Sequence, residues 1–374
     1  MKNRRIFLIS PEAWGTNFLS KHHYARVLSE HNQLAFIGPP RSFRPRSAQQ
    51  VGNVRLLDYP RVTGISRVHP WLRNFLQHLQ ARWLIHQAGF QPDLIWSFDP
   101  YVFQNPRVFG KRVFSIYHAA DIQTTPFERL CVDKADLVLA PADRILARFI
   151  KDPKRLVQIG HGLAPEFVGP LAEWTRPSRL RVGYVGNIVS QWIDYELLLH
   201  LVTQNTDVDF EFIGPVKGSN LGEYDIHPVI RQLQSMEHTH FTGSLGPSDL
   251  AQALRRCDLF LMCYRGDEFP DRLSNSHKVL EYLSTGRVAV CNYTAQYDNG
   301  QQLLNMVTKN SMLPDLFRQT IDQIEIHNSL ERRTQRHLFA MSQTYLDQVA
   351  RITAIIQQFE PERFGVVGSW RSQN

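Results

Sequence analysis

A chain of 374 residues is too long for one ordinary hydrophobic core, and its 43% hydrophobic and 21% charged residues describe a globular protein and exclude a disordered one. No apolar run is long enough to cross a bilayer, and Cys131, Cys257, Cys263 and Cys291 lack CxxC spacing, which argues against metal or disulfide frameworks and for a reducing cytosol. The net charge of +7 is uneven, with 23 Lys/Arg against 12 Asp/Glu in residues 1–170 and 19 against 23 in the remainder, so the first half is expected to meet something anionic.

The start, "MKNRRIFLISPEAW", is basic but has only a short apolar run, so it reads as a first strand and not a signal peptide. "NFLSKHHYARVLSEH" has helical spacing, "QLAFIGPP" is the next strand, and "PWLRNFLQHLQARWLIHQAG" is a second helix whose Trp71, Phe75 and Trp83 are expected mostly in the core. "DLIWSFD", "RVFSIYH" and "LVLAP" follow as strands bounded by turn formers. Strand–helix alternation of this kind implies a parallel sheet covered on both faces. The pattern pauses at Glu173–Arg179 and restarts with the strand "RVGYVGNI", the helix "DYELLLHLVTQN", and the strands "DFEFIGPV", "HFTGSL" and "DLFLMCY". "RVAVCNY" is expected to close the series, with one long helix over Leu330–Phe359 after it. The expectation is an α/β protein with Rossmann-like domains at 1–170 and 171–335, and a segment 336–374 packing back toward the first. Ligands in such folds bind outside the carboxyl ends of the strands.

The sharpest local signal is "RLSNSHKVLEYLSTGRVAV". Ser274 or Asn275 can cap a helix and leave its N–H groups for an anion, Glu281 follows about two turns in, and Gly286 supplies a stop. This segment resembles the donor site of retaining glycosyltransferases of family 4, which have the two-domain GT-B fold. "IGHGLAPEFV" is similar to the end of that family's first domain, and "WGTNFLSKHHYARVLSEHNQLAFIGPP" to a subgroup that builds bacterial surface polysaccharides. The resemblance implies that Ser274, Asn275, Ser276, Lys278 and Glu281 bind a nucleoside diphosphate sugar, with Glu281 on the ribose and Lys278 on the phosphates. Gly186, Asn187 and Gly214 would complete that pocket at the strand ends. Two departures stand out. Leu273 replaces a usual Glu, and no Arg/Lys pair follows Gly186, so Lys278 must supply the positive charge, with Arg265 and Arg272 in reserve.

His118 ends a strand and is expected at the rim of the cleft, as a hydrogen-bonding partner of the sugar. Asp121 either acts with it or starts the next helix. Gly15, Thr16, His22 and His23 are candidate acceptor contacts, one histidine facing the cleft and the other the solvent. His161 is expected to make a structural hydrogen bond. Arg41 and Arg44, with the arginines around "HPWLRNFLQHLQARWLIHQ", form a patch for lipid phosphate and an anionic membrane surface. Nucleic acid is disfavoured, because no recognition motif accompanies the charge. The reading implied is a metal-independent, cofactor-free retaining transferase at the inner face of the cell membrane, acting on a carbohydrate or lipid-diphosphate-linked acceptor. A sugar-nucleotide epimerase and a non-catalytic glycan-binding partner are the alternatives. Gly183–Gly186 lacks the GxGxxG spacing of a dinucleotide oxidoreductase.

Overall fold

The computed structural model describes residues 1–15, 18–40, 45, 47–120, 123, 125–149, 155–216, 226–269, 278–298 and 301–364. The first part of the chain forms β1 (Arg5–Ile9), α1 (Ser20–Ser29), β2 (Gln33–Ile37), β3 (Gln49–Val51), β4 (Val54–Leu57), α2 (Pro70–Ala88) and β5 (Leu94–Ser97). It continues with β6 (Phe114–His118), α3 (Pro126–Lys134), β7 (Leu137–Ala140), α4 (Asp143–Leu146) and β8 (Leu156–Gln158). These strands make one sheet in the order β3-β4-β2-β1-β5-β6-β7-β8, parallel except for the β3–β4 hairpin at its edge. The second part forms β9 (Arg181–Val185), α5 (Tyr195–Gln204), β10 (Asp209–Ile213), α6 (Pro228–Gln234), β11 (Thr239–Gly243), α7 (Pro247–Arg255) and β12 (Leu259–Met262). After these come α8 (Lys278–Ser284), β13 (Val288–Asn292), β14 (Asn305–Val307), α9 (Leu313–Asp322), α10 (Ile324–His327), α11 (Leu330–Met341), α12 (Tyr345–Phe359) and α13 (Pro361–Phe364). Their strands form a parallel sheet, β11-β10-β9-β12-β13-β14.

The inner strands are apolar runs because helices cover both faces. Every residue of β5, β6, β12 and β13 is buried. In each sheet the strand order reverses once, between β1 and β5 and between β9 and β12. Those two switch points are where crevices open at the carboxyl ends of the strands.

Four local expectations change. The three-residue β14 extends the second sheet beyond β13, too short to show a period. A hairpin, β3–β4, occupies the edge of the first sheet, with Gly52 at φ 56° in its turn. The expected long C-terminal helix is two helices, because Thr344 starts a new one: its Oγ1 accepts from Asp347 N–H (3.1 Å) while Asp347 Oδ2 accepts from Thr344 N–H (3.1 Å). And α2 turns its aromatics outward, Trp71 66%, Phe75 53% and Trp83 38% exposed. Among the described residues no helix is long and apolar enough to cross a membrane, and all four cysteines are buried thiols.

The chain crosses between the domains twice, and the crossings touch. Leu163 N–H donates to the Gln343 carbonyl (2.6 Å), and Tyr345 N–H to the Leu163 carbonyl (3.1 Å). Beyond that point α12 lies on α1. Tyr345 stacks on His23 (4.9 Å), meets Tyr24 edge-on (5.0 Å) and donates its hydroxyl to Ser20 Oγ (3.2 Å). The N-terminal ammonium bonds Thr353 Oγ1 (3.0 Å), which ties the middle of α12 to the first domain. A Cβ on Gly162 would stand 2.5 Å from the Tyr345 ring and 2.8 Å from its Cα, so only glycine fits there. Gly162→Ala is therefore expected to destabilise the chain by about 1–3 kcal/mol. Tyr345→Phe, which keeps the ring and drops one hydrogen bond, should cost about 1 kcal/mol. Urea denaturation of the two variants checks the order; an alanine as mild as the phenylalanine would mean the crossing is loose.

Candidate active site between the two sheets

On the second-domain side, three strands end in glycine turns. Gly186, Gly214 and Gly243 take φ of 148°, 151° and 72° at the carboxyl ends of β9, β10 and β11. Gly214 is fixed by contact as well as torsion, since a Cβ there would lie 1.8 Å from the Gly186 carbonyl oxygen. The result is a strip of bare backbone beside the β9/β12 switch point. Asn187 shapes the turn, with Oδ1 accepting from Val189 N–H (3.2 Å).

Helix α8 stands at the same place. Tyr282 pins it there: its hydroxyl accepts from Val185 N–H (3.0 Å), and its ring stacks on Phe260 of β12 (4.2 Å). At the other end, Gly286 at φ 77° stops the helix, and α11 closes over its carbonyls. Arg336 Nη1 donates to Gly286 O (2.9 Å) and His337 Nδ1 to Ser284 O (2.7 Å). The first turn carries Lys278 and Glu281, paired at 3.3 Å, with side chains 27% and 14% exposed. A half-buried ammonium beside a carboxylate, on bare backbone, can hold a phosphate with one group and sugar hydroxyls with the other. Arg265 is not free to help in this arrangement. Glu268 holds its guanidinium at 2.8 and 2.9 Å, and Phe269 lies under it.

His23 of α1 belongs to the facing side. Its Nδ1 is buried and has no hydrogen-bond partner among the described residues. Burial chiefly lowers its pKa, to about 3, and the positive charges of Arg26 and, across the cleft, Lys278 add to the effect. Tyr345 lies against it, its hydroxyl pKa raised chiefly by burial and in smaller part by Glu281. His23, Tyr345, Lys278 and Glu281 thus share one electrostatic neighbourhood.

Neither histidine of α1 faces solvent, contrary to expectation: Tyr345 of α12 stacks on His23, and His22 turns toward β2. His22 is fully buried and stacked against Phe18 (5.4 Å) and Phe36 (5.3 Å). Its Nδ1 accepts from Leu19 N–H (3.0 Å) and its Nε2 donates to Ala13 O (3.2 Å), so both nitrogens hold the loop that contains half-buried Gly15. His118 ends β6 but lies under the rim, 3% exposed, stacked on Phe98 (4.6 Å) and accepting from Trp96 Nε1 on Nδ1 (3.4 Å). Its proton is then on Nε2, and burial lowers its pKa to about 3, so it is a neutral donor and not an acid. His161 bonds Ser20 Oγ (3.1 Å) beside the crossing. Thr16, Arg41, Arg44, Asp121, Ser274, Asn275 and Ser276 lie outside the described residues.

Sequence reasoning passed over a buried charged group on the first-domain floor. Lys21 of α1, its side chain 6% exposed, pairs with Glu12, just past β1, and its ammonium is 6.0 Å from the Phe98 ring centroid. Asp99, two residues past β5, is 5% exposed, and burial raises its pKa to about 6. The available signal was position, since both acids follow parallel strands on the ligand side. Short polar residues there read equally well as turn formers. Among the described residues no three His, Cys, Asp or Glu side chains converge as a metal site would.

The buried imidazoles make stability depend on pH. His22, His23 and His118 have folded pKa values of about 4, 3 and 3 against 6.5 when free, so they take up protons on unfolding in weak acid. Asp99 opposes them, because it is protonated when folded below about 6 and loses that proton on unfolding. Stability should therefore fall as pH drops from 6.5 toward 4, by about 1–3 kcal/mol per pH unit. His23→Gln should flatten that slope by about 1 kcal/mol per unit, read from urea denaturation at several pH values. An unchanged slope would mean that His23 is protonated in the folded chain.

No protein-family model and no curated protein sequence matches this chain. Solved structures do. Sucrose-phosphate synthase from Thermosynechococcus elongatus aligns with a TM-score of 0.70 at 11% identity, over 96% of this chain and 100% of that one. HepE from Anabaena, crystallised with UDP and glucose, gives 0.66 at 14% identity, over 96% and 100% of the two chains. Trehalose-6-phosphate synthase from Burkholderia multivorans gives 0.67 at 11% identity, over 100% of both. At these identities the likeness is one of fold: the chain has the GT-B architecture, two Rossmann-like domains facing across a cleft.

Proposed function

We propose that this protein is a glycosyltransferase of the retaining, metal-independent kind found in family 4, moving a sugar from a nucleoside diphosphate to a carbohydrate or lipid-diphosphate-linked acceptor. Bacterial surface polysaccharide synthesis, at the cytoplasmic face of the membrane, is the setting. The observation that carries the reading is the Lys278–Glu281 pair, set by α8 beside the apposed Gly186 and Gly214 turns at the switch point of the second sheet. The fold likeness supports it, since HepE was crystallised with UDP and glucose and an Escherichia coli trehalose-6-phosphate protein with UDP-2-fluoro glucose.

In this reading the bond between the anomeric carbon and the diphosphate breaks first, and the Lys278 ammonium offsets the charge that develops on the departing phosphate. Glu281, paired with Lys278, turns to the ribose hydroxyls. His118 donates from Nε2 to the transferred sugar. The acceptor hydroxyl attacks from the face the diphosphate leaves, over His23 and Tyr345, and gives its proton to the departing phosphate oxygen, so the anomeric configuration is kept. Closure of the domains excludes water and favours transfer over hydrolysis. A second reading, a sugar-nucleotide-binding partner without turnover, draws on Leu273 and on the occupied guanidinium of Arg265.

Calorimetry with UDP-, GDP-, dTDP- and ADP-sugars is the test. One nucleotide should bind in the micromolar range, and Lys278→Ala and Glu281→Ala should each weaken it by about 10- to 100-fold, as loss of a charge-assisted contact does. Product formed by the intact protein should carry the donor's anomeric configuration by NMR. Binding to none of the four by folded protein would overturn the donor site, and binding without turnover on any acceptor would leave the second reading.

A further inference from the structure

Helix α2 is apolar on two sides: it buries Ala81, Leu84 and Ala88 against the first sheet and still carries large apolar side chains outward. Its inner face carries Gln77 and Gln80, 3% and 7% exposed, whose amides donate to Gln104 Oε1 (3.1 Å) and the Pro60 carbonyl (2.8 Å). Its outer face carries Trp71, Phe75, Leu79 and Trp83, 66, 53, 50 and 38% exposed. A step of four on a helix of 3.6 residues per turn makes these a single, slowly drifting stripe. Apolar residues scattered singly over a surface need no explanation, but four in register, two of them Trp, mark a face that something covers.

Charge identifies what covers it. From Tyr59 to Pro92 there is no Asp or Glu, while Arg61, Arg67, Arg73 and Arg82 all fall in that stretch. Arg82 is exposed on the outer face beside the stripe, with His78 and His86. A second copy seated here would set arginine against arginine across the contact, which disfavours self-association. Indole rings with Arg82 among them, and exposed Arg61 and Arg67 just before the helix, suit a phospholipid surface, the rings at headgroup depth and the guanidinium groups on phosphates.

We propose that α2 docks the protein on an anionic phospholipid bilayer, lying in the plane of the interface. The topology gives docking a direction. β4 ends on the cleft side and α2 runs back from there, with Asn74 and Gln77 bonded to Asn105 and Gln104 in the segment that follows β5. The Trp71 end of the stripe is therefore near the rim of the first-domain half of the cleft, and the Trp83 end is away from it. The inference stands on exposure and charge alone, independently of any reaction in the cleft.

The test is flotation of the full chain with vesicles of phosphatidylcholine, with and without phosphatidylglycerol. The chain should float only with the phosphatidylglycerol vesicles, more weakly at high salt, with its Trp emission shifted to the blue. Trp71→Ser combined with Phe75→Ser should lower partitioning by about tenfold or more. Thermal melting and nucleotide calorimetry on the same variant should be unchanged, which separates this surface from the donor site. Failure of the intact chain to float, or equal flotation of the double variant, overturns the proposal. So does a dimer in sedimentation that the same substitutions disperse, with no vesicle binding.

Discussion

The backbone at Gly162 passes so close to Tyr345 that no side chain fits between them, and the candidate site depends on that contact. Here the chain leaving the first domain meets the chain returning to it. The two are joined by a pair of backbone hydrogen bonds, and Tyr345 continues inward to His23, Tyr24 and Ser20 of α1. Without α12 on top of it, α1 would be an ordinary amphipathic helix with one wet face. With it, His23 is buried, its imidazole is held neutral, and it lies within the field of Lys278. One tight crossing thereby decides the protonation of one wall of the cleft and its separation from the other.

The second-domain wall is bare backbone at the strand ends. Gly214 stacks on the Gly186 carbonyl, and that closeness clears a strip at the strand ends. Fixed charge is sparse there among the described residues. Lys278 and Glu281 pair with each other, and Glu268 occupies Arg265. An anion arriving at Lys278 must therefore displace a carboxylate, which couples the two ends of a nucleotide: phosphate at Lys278 releases Glu281 for hydroxyl groups. The first-domain floor is the more strongly charged, with buried Lys21 and Asp99 and half-buried Glu12 near His118.

The fold was largely legible because parallel strands covered on both faces must be continuous apolar runs, and "RIFLI", "FSIYH", "LFLM" and "VAVCN" are such runs between turn formers. What escaped was either short or decided at long range. β14 and the β3–β4 hairpin have too few residues to show a period. The break before α12 needed Thr344 and Asp347 to be read as a capping box inside an otherwise helical stretch. The fate of His23 could not be read locally, since what covers its side of α1 arrives more than 300 residues later, as the hydroxyl of Tyr345 on Ser20 illustrates (325 residues apart). His22 and His118 are buried by Phe36 and Phe98, which only the sheet brings beside them. Trp71, Phe75 and Trp83 misled for a different reason. Hydrophobicity says that a side chain leaves water, and not whether protein or something else receives it.

The link from α8 to α11 has a mechanical consequence. Arg336 and His337 grip the last carbonyls of α8, and a three-residue break beyond α11 the chain becomes α12 and belongs to the first domain. The helix that presents Lys278 and Glu281 is thus one end of a connecting rod whose other end is bolted to the opposite domain. Rotation of one domain against the other would act on α8 through that rod. A ligand in the first domain that alters the angle between the domains would then be felt at Lys278 as a small shift of α8, with the two halves of the cleft in communication through a path that lies behind it.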